Sequence, residues 1–225
     1  MSRSFLWWIV LATALFQLVG TLFYFVILDN ATLIQLTYAA TKIVMLGIPL
    51  LMVSLGLKLP SFTLKPQLKL SLMYGAGSGL VIGALILTIL ALFPSISDVF
   101  TEPVVRKIQE VGISSIAIYW IAAIGISTVH SFFEEYYWRW YVVKGLETRL
   151  SPLASLLLGN FFFACHHYIV LSQFVTLPLT ILFGTLVGIG GCLWSWIYRR
   201  TGSLLGGWVS HVLIDLAIFA VGYLL

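Results

Sequence analysis

Seven long apolar runs constrain the fold of this chain more than any other feature of its sequence. Each has the roughly 18 residues or more that a helix needs to cross a hydrocarbon core of about 30 Å. Hydrophobic residues make up 60% of the 225 residues and charged residues only 9%, which excludes an ordinary soluble domain. The sequence therefore predicts an all-α, polytopic transmembrane helix bundle with about seven spanning helices. The runs cover approximately residues 5–27, 32–57, 70–93, 113–147, 152–171, 174–198 and 203–225.

We expect a single integral membrane domain over residues 1–225, with N-terminal helices in 1–93 and the functional motifs in 113–225. The first run is longer than the apolar part of a secretory signal and shows no convincing cleavage site, so we interpret it as a retained helix. The segment 95–112 is interpreted either as an amphipathic helix that follows Pro103 or as an interfacial loop.

The positions of lysine and arginine predict the orientation of the bundle. If the chain crosses the membrane seven times, most of these residues fall on one side, which marks that side as cytoplasmic. The N-terminus is then cytoplasmic and the C-terminus outside, as for an integral protein of a bacterial or archaeal cell membrane. This topology explains the net charge of +4, so we expect contact with the lipid bilayer and no nucleic-acid partner. The residues concerned are Arg3, Lys58, Lys65, Lys69, Lys144, Arg149, Arg199 and Arg200.

Charged residues inside the predicted spans are rare and unevenly distributed. An ionised side chain deep in a bilayer costs on the order of 2.5 kcal/mol or more, so such a residue is a candidate for function. The first three spans hold one, Lys42, which we expect to snorkel or to pair inside the bundle. The last four spans hold Glu134, Glu135, Arg139, Asp215 and all four histidines. Any chemistry is therefore predicted in the C-terminal half.

The two adjacent glutamates are predicted to have different roles. Each residue of an α-helix advances by about 100°, so Glu135 and Arg139 share a face, with the acid N-terminal to the base. Glu134 points about 100° away from Glu135. We therefore expect Glu135 and Arg139 to form a structural ion pair, and Glu134 to face a cavity where it can act as a general base.

Histidines on two later helices can approach that cavity. His166 and His167 are neighbours and point about 100° apart, so we expect at most one of them to aim squarely at a shared site. His211 and Asp215 share a helical face, and either the carboxylate orients the imidazole or both are metal ligands. Counted from the cytoplasmic helix ends, Glu134 lies about 20 Å deep, the histidine pair about 21 to 22 Å, His211 about 12 Å and Asp215 about 18 Å. These side chains can meet within the bundle.

The order of these groups resembles the three motifs of the CAAX protease and bacteriocin-processing (CPBP) family of intramembrane endopeptidases, which includes the type II CAAX prenyl endopeptidases. The resemblance covers roughly residues 113 to 225, while the first three runs match only in hydrophobicity. The matching elements are Glu134-Glu135-x-x-x-Arg139, then Phe-x-x-x-His, then His211-x-x-x-Asp215.

The resemblance implies an enzyme that hydrolyses a peptide bond of a membrane-associated peptide or protein. Prenylated CAAX termini, bacteriocin leaders and membrane-anchored regulators are all compatible substrates. By position in the family motif, Glu134 activates the attacking water, and Glu135 and Arg139 support it.

The motif histidine is either His166 or His167, because each follows a phenylalanine by four residues. The family often has a small residue directly after that phenylalanine, and Ala164 follows Phe163, so we favour His167 and give His166 a supporting role. The last family motif more often ends in Asn, whereas here it ends in Asp215.

Two chemical variants and two other functions remain open. With Zn²⁺, His167, His211 and Asp215 would be ligands, and one coordination position would stay open for water. Without a metal, Glu134 would activate water alone, and His167 and His211 would hold the developing oxyanion while Asp215 fixes His211. The zinc motif H-E-x-x-H is absent from the sequence. The alternatives are a proton or ion transporter and a peptide-binding immunity protein, which would use the same buried cluster without catalysis.

Overall fold

The computed structural model describes residues 3–110 and 112–224, with side chains from Phe5 onward except those of Ser97 and Lys107. All of the regular secondary structure in these residues is helical, which confirms the predicted all-α class. Seven of the helices are long and apolar enough to span a membrane, and their ends agree with the predicted runs to within about three residues. Helices suit this environment because they satisfy their own backbone hydrogen bonds in the absence of water.

Eight helical segments follow one another along the chain. They are α1 (Arg3–Leu22, continued as a π-helix by Phe23–Ile27), α2 (Ala31–Ser54), α3 (Leu68–Leu92), α4 (Pro94–Glu110), α5 (the span Ile116–Leu146), α6 (Pro152–Leu171), α7 (Leu177–Thr201) and α8 (Leu205–Leu224).

Helix α5 is not a regular α-helix. It is π-helical over Ile126–His130 and again over Glu135–Val143, with α-helical segments before, between and after these stretches. A π-helix is rare and is found frequently at functional sites. The second stretch begins at Glu135, so the irregular backbone starts within the motif that the sequence singles out.

Side-chain caps explain where several helices begin. The Asn30 side chain accepts a hydrogen bond from the backbone N–H of Leu33 at the start of α2. Ser151 accepts one from Ala154 at the start of α6, where Pro152 occupies the first turn and needs no acceptor. Gly202 has φ +70° directly after α7, a conformation that favours glycine and ends the helix.

The segment between the third and fifth helices is helical, as one of its two interpretations predicts. Helix α4 begins at Pro94, nine residues before Pro103, and Val111 lies outside the described residues. A proline suits the first turn of a helix, because the backbone N–H groups of that turn have no helical acceptor and proline lacks an N–H. The Arg106 and Glu110 side chains form an exposed ion pair at 3.9 Å.

The chain forms two compact units, and each draws helices from both ends of the sequence. The first unit comprises the described residues of 1–62 and 133–196, and the second those of 63–132 and 197–225. Hydrogen bonds join helices and loops within the first unit, among them Thr13 Oγ1 with Tyr141 Oη at 3.1 Å, Tyr136 Oη to the Leu46 carbonyl at 3.2 Å, and Trp140 Nε1 to the Pro60 carbonyl at 2.8 Å.

Close packing of α3 against α8 organises the second unit. Buried glycines of α3 repeat every four residues on the face that meets α8: Gly75, Gly79 and Gly83. A Cβ atom on Gly75 would contact the backbone of Gly206, and one on Gly79 would lie 2.9 Å from the Leu213 side chain. Small residues let helices approach closely in a membrane, where packing rather than hydrophobic burial drives association.

We predict that Gly75→Ala destabilises the protein by about 1 to 3 kcal/mol, because the added methyl group overpacks a backbone contact that cannot rotate away. Thermal unfolding in detergent measures the effect. Gly77→Ala is the matched control on the same helix, since a Cβ there meets nothing within 4 Å. Equal melting temperatures for the two variants would contradict this account of the α3–α8 contact.

Candidate active site

The ion pair between Glu135 and Arg139 is buried completely. Arg139 Nε lies 3.3 Å from Glu135 Oε2, and the two side chains are 0% and 1% exposed. This confirms the pair predicted from their spacing, although the backbone there is π-helical rather than α-helical. Water does not solvate either buried charge, so each is stabilised by the opposite charge beside it.

Aromatic rings enclose the guanidinium group of Arg139. Its Cζ atom lies 4.2 Å from the centroid of the Phe163 ring and 5.0 Å from that of the Trp194 ring. These cation–π contacts add to the ion pair and bring α5, α6 and α7 together around one charge. Gly191 makes room for the cluster, because a Cβ there would lie 3.0 Å from Arg139 Nη2 and 2.5 Å from Asn160 Oδ1.

Glu134 points toward α6. It is 3% exposed, and its Oε1 lies 3.4 Å from Nε2 of His166. The His166 ring stacks parallel on the indole of Trp138, with centroids 5.4 Å apart and an interplanar angle of 4°. Trp138 therefore fixes the plane in which the His166 imidazole meets the carboxylate.

His167 also reaches this cluster. Its Nδ1 lies 2.9 Å from the Phe163 carbonyl, and because a carbonyl only accepts, Nδ1 carries the proton in this contact. In the neutral imidazole, Nε2 is then the acceptor nitrogen. Side-chain atoms of Glu134, His166 and His167 all lie within 4.8 Å of one another.

The expectation that at most one of the two histidines aims at the site is wrong. Their Cα–Cβ vectors diverge by about 100°, but the imidazoles extend beyond Cβ and turn toward each other. The ring centroids are 4.0 Å apart and tilted by 48°. Both imidazoles therefore converge on Glu134, and the choice of His167 over His166 as the motif histidine stays a prediction.

The converging donors fit a divalent cation such as Zn²⁺. Two imidazoles and one carboxylate are a known zinc donor set, and they leave a fourth position open. Ligand atoms around a tetrahedral zinc ion are about 3.4 Å apart at zinc–nitrogen distances of about 2.1 Å, so a separation of up to 4.8 Å requires a small side-chain adjustment. The contact of His167 Nδ1 with a backbone carbonyl is typical of a metal-bound imidazole.

The last predicted pair, His211 and Asp215, lies in the second compact unit. His211 Nε2 is 3.7 Å from Asp215 Oδ1, which confirms that the two side chains meet on one face of α8. His211 is buried at 5% exposure, while the Asp215 side chain is 21% exposed. The carboxylate can therefore orient the imidazole, and the roles of both residues stay predictions.

Sequence reasoning missed three residues that hold the first-unit cluster together. Trp138 and Trp194 gave no signal, because a tryptophan in a span is equally typical of lipid contact. Asn160 did give a signal in the sequence, since a polar side chain within an apolar run needs a hydrogen-bond partner. Its Nδ2 donates to Ser195 Oγ at 2.9 Å and to the Leu156 carbonyl at 2.8 Å.

Comparison with known proteins agrees with the motif pattern. Residues 116–217 match the family model described as type II CAAX prenyl endopeptidase Rce1-like. This segment is slightly less than half of the chain, and it contains every predicted site residue from Glu134 to Asp215. The resemblance predicted from the motifs is thereby confirmed over that segment. No curated protein and no solved structure matches the chain significantly.

We predict that Arg139→Met destabilises the protein by about 3 to 5 kcal/mol, because it leaves the Glu135 carboxylate buried without its cation. Unfolding in detergent, followed by tryptophan fluorescence, measures the loss. The double variant Glu135→Gln with Arg139→Met is expected to recover part of it, since no charge is then left uncompensated.

Arg106→Met is the matched control for Arg139→Met. It breaks an ion pair of the same i, i+4 spacing whose side chains are 58% and 52% exposed. An exposed pair of this kind contributes at most about 1 kcal/mol. If Arg139→Met were no more destabilising than this control, the buried ion pair would not be a main support of the fold.

Proposed function

Because residues 116–217 match the type II CAAX prenyl endopeptidase Rce1-like family, we propose that this integral membrane protein is an intramembrane endopeptidase. It would hydrolyse a peptide bond of a membrane-associated peptide or protein, with prenylated CAAX termini as the first substrate class to test. The observation that carries the proposal is the buried carboxylate of Glu134 beside the imidazoles of His166 and His167. A buried acid next to two titratable bases is suited to moving a proton.

Glu134 is the proposed general base. Its carboxylate takes one proton from a water molecule while the water oxygen attacks the carbonyl carbon of the scissile bond. The electron pair of the carbonyl bond moves to its oxygen, which becomes an oxyanion. When the carbon–nitrogen bond breaks, the leaving nitrogen takes the proton from Glu134, so the acid returns to its starting form.

The two neighbouring histidines would orient the reacting groups. His166 donates toward the Glu134 carboxylate, and the stacked indole of Trp138 keeps the ring in place. His167 is fixed through Nδ1, and its Nε2 lone pair can accept the second hydrogen of the water. In the metal-free variant expected from the sequence, His167 and His211 hold the developing oxyanion and Asp215 fixes His211, and these roles stay predictions from the sequence. His167 could donate to an oxyanion only if Nε2 also carried a proton.

A zinc ion is the alternative source of activated water. Glu134, His166 and His167 would hold it, and a bound zinc ion lowers the pKa of its water to about 7. In that variant Glu134 is a ligand and no longer available as the base. The two variants therefore compete for the same carboxylate, and metal removal separates them.

Glu134→Gln tests the proposed activity most directly. The amide has nearly the same shape but cannot take a proton, so we expect cleavage to fall by about 10²- to 10⁴-fold. Peptide termini in membranes from cells producing wild type or variant at matched levels are compared by mass spectrometry. Termini that appear only with wild type would establish proteolysis and identify the substrate.

Glu110→Gln is the control for this comparison, because it makes the same change at an exposed carboxylate of α4. It is expected to give the wild-type set of termini. Identical termini for wild type and Glu134→Gln, with both proteins folded, would contradict the protease proposal. Capture of a peptide or transport of an ion would then explain the buried cluster better.

Metal removal distinguishes the two sources of activated water. If Glu134 is the base and no metal takes part, 1,10-phenanthroline leaves cleavage unchanged, and the purified protein carries no stoichiometric zinc by plasma mass spectrometry. If Glu134 is a ligand, chelation abolishes cleavage and added Zn²⁺ restores it. In that case His166→Ala and His167→Ala lower the bound zinc as well as the activity, because each removes one ligand.

A further inference from the structure

Two cavities lie in the first unit, close to the residues where α1 begins and where α2 and α5 end. The larger has a volume of about 420 Å³. The smaller has a volume of about 210 Å³ and shares Lys58 and Thr148 with the larger one, so the two adjoin. All of their lining residues belong to the first unit. The larger cavity has the size of a small-ligand site.

The order of the spans places these cavities at the headgroup level of a membrane. The span of α2 ends at Ser54 and that of α5 ends at Leu146, and Lys58 and Thr148 follow these ends within a few residues. Because successive spans run in opposite directions, the start of α1 lies at the same membrane surface. Leu6, in the first turn of α1, lines the smaller cavity. A ligand bound here would therefore meet the polar layer of the bilayer.

Local contacts form the walls of the cavities in the absence of a ligand. Gly56 has φ +98°, which turns the chain out of α2 two residues before Lys58. At the end of α5, the Thr148 hydroxyl donates to the Gly145 carbonyl at 2.7 Å. A Cβ atom on Gly145 would lie 2.8 Å from the Val10 side chain, so α1 packs closely against this end of α5. The fold thus sets the shape of the site, as is usual for ligand pockets.

The charged side chains of the larger cavity leave it with one positive charge. Lys58 is exposed, and it forms no ion pair with any residue that the structure describes. Lys144 Nζ lies 2.8 Å from Glu147 Oε2, and these two side chains are only 16% and 20% exposed. All three residues line the cavity, so two ammonium groups and one carboxylate face it together. A phosphodiester carries one negative charge and would balance this net charge of +1.

We propose that the two cavities bind the headgroup of an anionic phospholipid that carries one phosphodiester charge. Lys58 and Lys144 contact the phosphate oxygens, since a lysine ammonium binds phosphate as a point charge. Glu147 holds Lys144 in the cavity and limits the total positive charge. Basic pockets between membrane helices are suited to lipid headgroups. Free phosphate offers the same chemistry, but the position at the ends of three spans favours the lipid.

Native mass spectrometry of the full chain in detergent, titrated with dioleoylphosphatidylglycerol, tests the site. We expect Lys58→Met to weaken binding of the first lipid by about tenfold, because one of two charged contacts to the phosphate is lost. Lys58→Arg keeps the charge and is expected to bind as wild type does. Dioleoylphosphatidylcholine has no net charge and is expected to bind wild type by about tenfold more weakly.

Lys69→Met is the matched control for Lys58→Met. It removes the same charge from an exposed lysine of the second unit that lines neither cavity. It is expected to leave the lipid affinity almost unchanged. Equal losses for Lys58→Met and Lys69→Met, or equal binding of the two lipids by wild type, would overturn the proposal, because general surface attraction would then account for the binding.

An excess of inorganic phosphate in the same titration distinguishes the lipid from free phosphate. A lipid also gains contacts through its acyl chains, so we expect phosphate to leave its affinity almost unchanged. Displacement of the lipid by phosphate would overturn the lipid assignment and show that the cavity takes free phosphate.

Melting temperatures provide a second measurement of the same site. A ligand that binds only the folded protein stabilises it, so phosphatidylglycerol is expected to raise the melting temperature of wild type and of Lys69→Met by more than that of Lys58→Met. Melting without added lipid checks that each variant is folded. An equal rise in all three proteins would contradict a phosphate contact at Lys58.

Discussion

Compensation of buried charge is the constraint on which the rest of this structure depends. Glu135 and Arg139 sit at 1% and 0% exposure inside a bundle made mostly of apolar side chains. Neither charge could remain there alone, since the loss of hydration far exceeds what a few dispersion contacts return. The pair, with the rings of Phe163 and Trp194 around it, therefore fixes how α5, α6 and α7 pack in the first unit.

The same ion pair bears on the role that we propose for the neighbouring glutamate, Glu134. Because the rings on α6 and α7 hold Arg139, the rotation of α5 is fixed, and Glu134 meets His166 of α6. The Oε1 atom of the Glu134 carboxylate lies 3.4 Å from the imidazole Nε2. The acid of the buried ion pair and the proposed general base are thus neighbours in the sequence, and the turn of the helix separates their side chains.

The π-helical backbone of α5 also determines which side chains meet. The π-helical stretch that starts at Glu135 changes the angular step per residue over the aromatic run that follows. Trp138 comes to stack on His166, while Tyr136 reaches back to the Leu46 carbonyl of α2. The same stretch thereby presents one side chain to a histidine ring on α6 and another to a backbone carbonyl of α2.

The sequence by itself determined the membrane class, the seven spans, the Glu135–Arg139 pair and the His211–Asp215 pair. Apolar run length and i, i+4 spacing are local properties, and helices follow them closely because a bilayer offers the backbone no other partner. Spacing could not show that His166 and His167 both turn toward Glu134, or that Tyr136 bonds to the Leu46 carbonyl of α2. Those contacts depend on side-chain rotation and helix packing between residues far apart in the chain, which only the tertiary structure decided.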